Sequence, residues 1–79
     1  PSTVINYELT SFSNVELKVY DILGNEVETL VNDLKQPGIH SVSFNGSSYP
    51  SGVYYYRLDV RNSEGVASSS ESKKMIMLK

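Results

Sequence analysis

Apolar side chains recur at every second position in several short runs of this chain, the spacing that turns one face of an extended strand toward a core. Ile5, Tyr7 and Leu9 make the first such face, and Val15, Leu17 and Val19 the second. Val27, with either Thr29 or its neighbours Leu30 and Val31, begins a third strand whose facing the alternation leaves open. Val42 and Phe44, interleaved with Ser41 and Ser43, make the fourth. Across residues 53 to 60, Tyr54, Tyr56, Leu58 and Val60 are far more apolar than Val53, Tyr55, Arg57 and Asp59, so the first set is expected to face inward. The final run, about 72 to 79, is apolar at four successive positions. That fits a strand covered on both sides, or one whose register alternation does not assign.

The punctuation between these runs is chemically specific. Asp21-Ile22-Leu23-Gly24 has Asp at the first and Gly at the fourth position of a type I turn and predicts a hairpin between strands two and three. Gln36-Pro37-Gly38-Ile39 carries Pro then Gly at its centre, the type II signature. Tyr49-Pro50-Ser51-Gly52 and Asn62-Ser63-Glu64-Gly65 predict two further reversals, and the Ser-rich stretch 68 to 72 predicts a flexible bulge or loop. Six to seven strands with turns every 8 to 12 residues describe an all-β, immunoglobulin-like antiparallel sandwich over residues 1 to 79.

Composition sharpens this picture. One Ala stands against nine Val and six Tyr, which favours pleated sheet over helix. Leu, Ile, Val and Phe supply 22 of the 79 residues, enough apolar atoms for a core. Without cysteine, packing and sheet hydrogen bonds must hold that core alone. A net charge of −2 presents no basic face to nucleic acid. No apolar run has the length of a membrane helix, so no stable membrane insertion is expected. No leader sits at the front, and a chain opening on Pro1 reads as a piece of something longer.

Candidate chemistry is sparse. His40 is the single histidine, and catalytic or metal constellations need several cooperating groups. Asp21, Glu26, Glu28 and Asp33 fall near turns. A calcium site from Asn32, Asp33 and carbonyls would need more oxygens than the loop supplies, so no catalytic residue, metal or cofactor is expected. Tyr7, Tyr54 and Tyr56 fit inward positions, which leaves Tyr20, Tyr49 and Tyr55 as rings that would stack on a sugar if the chain were a carbohydrate-binding module. The Lys73, Lys74, Met75, Ile76, Met77, Leu78 and Lys79 segment is the best recognition element, because a last strand can lie at a sheet edge with unpaired backbone groups.

Ser51-Gly52-Val53-Tyr54-Tyr55-Tyr56 resembles the entry of strand F in immunoglobulin domains, with Tyr54 in place of the corner tyrosine and Tyr56 where the inward cysteine stands. A wider resemblance runs through Pro1-Ser2-Thr3, Ile5-Asn6-Tyr7-Glu8-Leu9, Val19-Tyr20-Asp21-Ile22-Leu23-Gly24-Asn25-Glu26-Val27, Leu30-Val31-Asn32, Pro37-Gly38, Pro50 to Leu58, and Lys73 to Lys79. In these strings the chain is similar to the type A C-terminal sorting domain of the type IX (Por) secretion system, a relative of the immunoglobulin-like domain of flagellar hook-capping proteins. It departs from that pattern at 59 to 72, where a Ser-rich stretch stands in place of a short hairpin.

The resemblance implies a non-catalytic module that directs a cargo, N-terminal to residue 1, from the periplasm across the outer membrane. The type IX machinery would be its partner. Secretion or cell-surface attachment would follow, with the module removed. Lys73 to Lys79 would serve recognition, and Asp21, Gly24, Gly38, Pro50, Gly52, Tyr54, Tyr56 and Leu58 would serve the fold. A structural immunoglobulin-like spacer is the other class the same pattern allows.

Overall fold

A computed structural model describes residues 2–78. Among them run six strands, β1 (Ser2–Leu9), β2 (Ser13–Asp21), β3 (Glu26–Lys35), β4 (Gly38–Asn45), β5 (Gly52–Asn62) and β6 (Ala67–Met77), and no helix. They form a two-stranded sheet, β1-β4, and a four-stranded sheet, β3-β2-β5-β6, with every pairing antiparallel. The alternating faces read from the sequence are the faces that stack. Tyr7 and Leu9 of the small sheet pack with Val15 and Val60 of the large one, and Phe44 packs with Val19, Tyr54 and Met77. Val15, Leu17, Val19 and Phe44 are completely enclosed, and each such side chain stabilises the fold by about 1.5–3 kcal/mol relative to exposure.

The facing of β3 has a physical answer. Its register against β2 shifts twice: Leu17 pairs with Val31 but Lys18 with Thr29, and Val19 pairs with Glu28 but Tyr20 with Glu26. Leu30 and Val27 are therefore the extra residues of two irregularities. Each such insertion breaks the period of two, and Val27, Leu30 and Val31 all reach core clusters despite their mixed parity.

Two expectations need correcting. Residues 68 to 72 are not a loop. They belong to β6, which pairs with β5 from Gly52↔Met77 to Arg61↔Ala67, with one register shift between Val60 and Arg61. Serine is a weak strand former, but a long neighbouring strand with free backbone groups overrides that preference. Gln36-Pro37-Gly38-Ile39 likewise does not take the expected type II turn, and the segment carries the chain from β3 of one sheet to β4 of the other. Gly38 takes φ 131°, well beyond the roughly +80° of a type II centre.

The two true hairpins are near copies. In the first, Gly24 N donates to Asp21 O (3.0 Å), while Asp21 Oδ1 accepts from Leu23 N and Asn25 N (2.9 Å each). In the second, Gly65 N donates to Asn62 O (2.9 Å), and Asn62 Oδ1 accepts from Glu64 N and Val66 N (3.0 Å each). Gly24 and Gly65 sit at φ 88° and 84°, where a Cβ would be strained.

One hairpin is organised by a carboxylate and the other by an amide, which gives an internal control. The backbone bond from Asn25, with further donors in the turn, holds the Asp21 carboxyl below its ordinary value. A depressed folded-state pKa contributes stability that is present above the unfolded value and lost as pH falls through the folded one. Asp21→Asn is therefore expected to flatten the fall in melting temperature at acid pH, and Asn62→Asp to steepen it. Thermal melts from neutral pH downward check both; an unchanged acid limb in the two variants would contradict the assignment.

Candidate recognition surface

The corner that precedes β5 is built as the strand-F resemblance implies. Tyr54 is buried and its Oη donates to Pro50 O (2.8 Å), four residues upstream, which ties the crossing segment to the strand that follows. Tyr56 is half-buried against the cluster that contains Val19 and Met77. Leu58 packs with Tyr7, Val15 and Val60. These residues seat β5 on the core, and β5, paired with β2, in turn carries β6 at the sheet's edge.

β6 and β3 are the two edges of the large sheet, and they differ. The two register shifts interrupt the β3 ladder. β6 keeps continuous register against β5 from Met77 to Ser69, so its outer side presents an uninterrupted row of backbone donors and acceptors. Ser69 to Lys74 are six successive exposed residues, open on both faces of the strand.

Within the expected recognition segment the side chains divide by parity. Met75 is half-buried and Met77 is buried, both against the core, whereas Ile76 (66% exposed) and Leu78 (74%) face solvent. Lys73 pairs with Glu71 at 3.3 Å, and that bond holds the ammonium above its ordinary value. An exposed pair of this kind contributes little to stability. Lys74 stands opposite Tyr55 and has no ion-pair partner among the described residues. Lys79 lies outside the described residues.

Met77 is anchored from the opposite sheet as well. Gly46 follows β4 directly, and a Cβ built there would overlap Met77 Sδ and Cε. The end of β6 is thereby seated against the turn that leaves β4, where Tyr49 N donates to Gly46 O (3.0 Å).

The other candidates are placed as follows. His40 is half-buried, stacked on Tyr7 with ring centres 5.3 Å apart, and its Nε2 lies 2.8 Å from Gln36 O. Asp33 Oδ1 accepts from Leu34 N (2.8 Å), and no three His, Cys, Asp or Glu side chains converge among the described residues. Tyr49 is not an exposed platform. It stacks on Phe44 at 5.6 Å, its Oη donates to Glu28 Oε1 (2.7 Å) and lies 3.2 Å from Val27 O, and the bond to Glu28 raises its phenol pKa. Tyr20 and Tyr55 remain as cross-strand neighbours on the outer face.

In the sequence, Ile22 and Leu23 carry only a turn signal. They stand in solvent at the first hairpin's tip, 66% and 83% exposed, and with Pro50 and Val53 they line an apolar groove of about 310 Å³. The signal was present in the sequence, since the centre of a type I turn offers large aliphatic side chains no core to enter.

A family model described as Secretion system C-terminal sorting domain matches residues 2–77, nearly the whole chain. No curated protein and no solved structure matches it.

Proposed function

The chain belongs to the type IX secretion C-terminal sorting domain family, and from that premise we propose that it works as a folded, non-catalytic sorting signal. It directs an N-terminally attached cargo from the periplasm through the outer membrane, to release or attachment at the cell surface, with removal of the domain as the later step. The recognition element is the segment Lys73 to Lys79, of which residues 73 to 77 lie on the edge strand β6.

The observation that carries this reading is the extent of the match. It spans all six strands, which supports a signal that must be folded rather than a short tail read as an extended peptide. The fold supports it further, since Asp21, Gly24, Pro50, Tyr54, Tyr56 and Leu58 lie in the turns and packing around β5 and β6, with Gly38 and Gly52 opening the strands after two of the three sheet crossings.

The test is a periplasmic reporter carrying residues 1 to 79 at its C-terminus in a host with a type IX system. The expected result is reporter outside the cell, abolished by deleting Met75 to Lys79. Periplasmic retention of the intact fusion, or normal export after the deletion, would remove the proposal.

A further inference from the structure

We infer that the sorting domain meets its receptor through a composite apolar face. In it, the hairpin tip Ile22-Leu23 stands with Val53, Ile76 and Leu78, and the occupant is an extended segment of a partner protein bearing aliphatic side chains and a carboxylate opposite Lys74. The inference rests on the sorting role proposed above and specifies how the signal is read.

Register brings these residues to one end of the large sheet's outer face. Lys18, Arg57 and Ser72 form one row across β2, β5 and β6, and Tyr20, Tyr55 and Lys74 form the next. Beyond it, Val53 pairs with Ile76 while β2 turns at Asp21 into Ile22 and Leu23. Neighbouring strands lie about 4.8 Å apart, so Val53 and Ile76 are in side-chain contact range, and the groove lined by Ile22, Leu23, Pro50 and Val53 joins the hairpin tip to that row. Leu78 lies two residues beyond Ile76.

Four large aliphatic side chains in this set are between 66% and 83% exposed. Folding does not explain them. The tip's conformation is set by Asp21, Gly24 and Asn25 through backbone and carboxylate bonds, and those central turn positions accept most residue types. Ile76 faces away from the core that its neighbours Met75 and Met77 join. A contiguous apolar patch with no role in the core marks an interaction surface.

The edge of β6 decides between a protein and a lipid occupant. The backbone groups along its outer side would stay unpaired in a bilayer, where no donor or acceptor meets them. An added strand pairs with them and lays its outward side chains beside Ile76 and Lys74, and the partner chain that leaves this strand crosses Val53 to reach the hairpin tip at the end of β2. Around the patch, Lys18 is engaged by Glu16 and Glu26, Arg57 by Asp59, and Lys73 by Glu71. Among the described residues at this end of the sheet, Lys74 is left as the cation available to a partner's carboxylate. The carboxylates of Asp21 and Glu26 on the same end disfavour an anionic membrane surface.

The experiment uses the exported reporter with Ile22→Ser/Leu23→Ser, Ile76→Thr, Lys74→Glu and Lys74→Arg, each domain also melted in isolation. Melting temperatures within a few degrees of the parent keep the comparison clean, since exposed substitutions away from caps and core cost little. Export is expected to fall at least about tenfold for the hairpin-tip double variant and for Ile76→Thr, the loss typical of central apolar anchors. Lys74→Glu is expected to impair export and Lys74→Arg to preserve it. Normal export by a stably folded Ile22→Ser/Leu23→Ser variant overturns the inference while leaving the sorting role intact. Retention of the parent fusion removes both. Flotation of the parent domain with phosphatidylethanolamine and phosphatidylglycerol vesicles, lost in the tip variant, would assign the face to lipid and likewise overturn a protein occupant.

Discussion

Phe44→Ala is expected to destabilise the domain by about 3–5 kcal/mol, the range for emptying a fully enclosed aromatic site. Phe44 is 0% exposed and is the largest of the completely buried side chains. It comes from the two-stranded sheet and packs among Val19, Tyr54 and Met77 of the four-stranded sheet, with Tyr49 stacked on it at 5.6 Å. The site cannot readily collapse, because its walls belong to two sheets whose separation is fixed elsewhere by Tyr7, Leu9, Val15 and Val60. At about 0.05–0.15 kcal/mol per residue, a chain of 79 residues holds roughly 4–12 kcal/mol in all. The substitution is therefore expected to consume much or all of it. Urea unfolding followed by circular dichroism checks this, with the midpoint falling and the slope unchanged. A loss below about 1 kcal/mol would mean that the sheets are not held together through Phe44. Export of the fused reporter should fall in parallel if the folded domain is the signal.

Where a strand has one buried face, its side chains could be read directly from the alternation. Ile5, Tyr7 and Leu9, then Val15, Leu17 and Val19, then Val42 and Phe44, and then Tyr54, Tyr56, Leu58 and Val60 turn inward as their spacing implies. The hairpin at Asp21 and Gly24 was legible for a different reason, since its chemistry is local: one carboxylate and one positive φ define it. β3 resisted because two register shifts place Val27, Leu30 and Val31 against the core in succession, and no fixed period describes that.

β6 resisted for the opposite reason. Its regular period of two is present but carries apolar residues on both faces, Met75 and Met77 toward the core and Ile76 outward, so hydrophobicity alone does not separate them. Its serines gave no strand signal because their pairing depends on β5, a non-local partner. The candidate surface follows the same division. The terminal segment was visible as sequence, but its companions Ile22, Leu23 and Val53 are joined to it only by cross-strand register.

The contact between Gly46 and Met77 yields the second large effect, and its sign is unusual. Gly46 is not among the glycines at positive φ, so its backbone accepts a Cβ; the obstacle is Met77 Sδ and Cε, which occupy that volume. Met77 is 3% exposed and lies with Val19, Phe44 and Tyr54, so it has no equally buried place to move to. Gly46→Ala alone is expected to cost about 1–3 kcal/mol by overpacking, and Met77→Ala alone about 2–5 kcal/mol by leaving a cavity. The double variant places the new methyl in the space the methionine vacates. Its loss should be smaller than the sum of the two by about 0.5–3 kcal/mol, the coupling expected of side chains in direct contact. Additive losses in a urea double-mutant cycle would show that the two positions do not meet. Coupling of this size would mean that the last buried residue of β6 reports on the turn after β4. Loosening either then frees the strand end that carries Ile76, and the exported fraction should rank the three variants in the order of their measured stabilities.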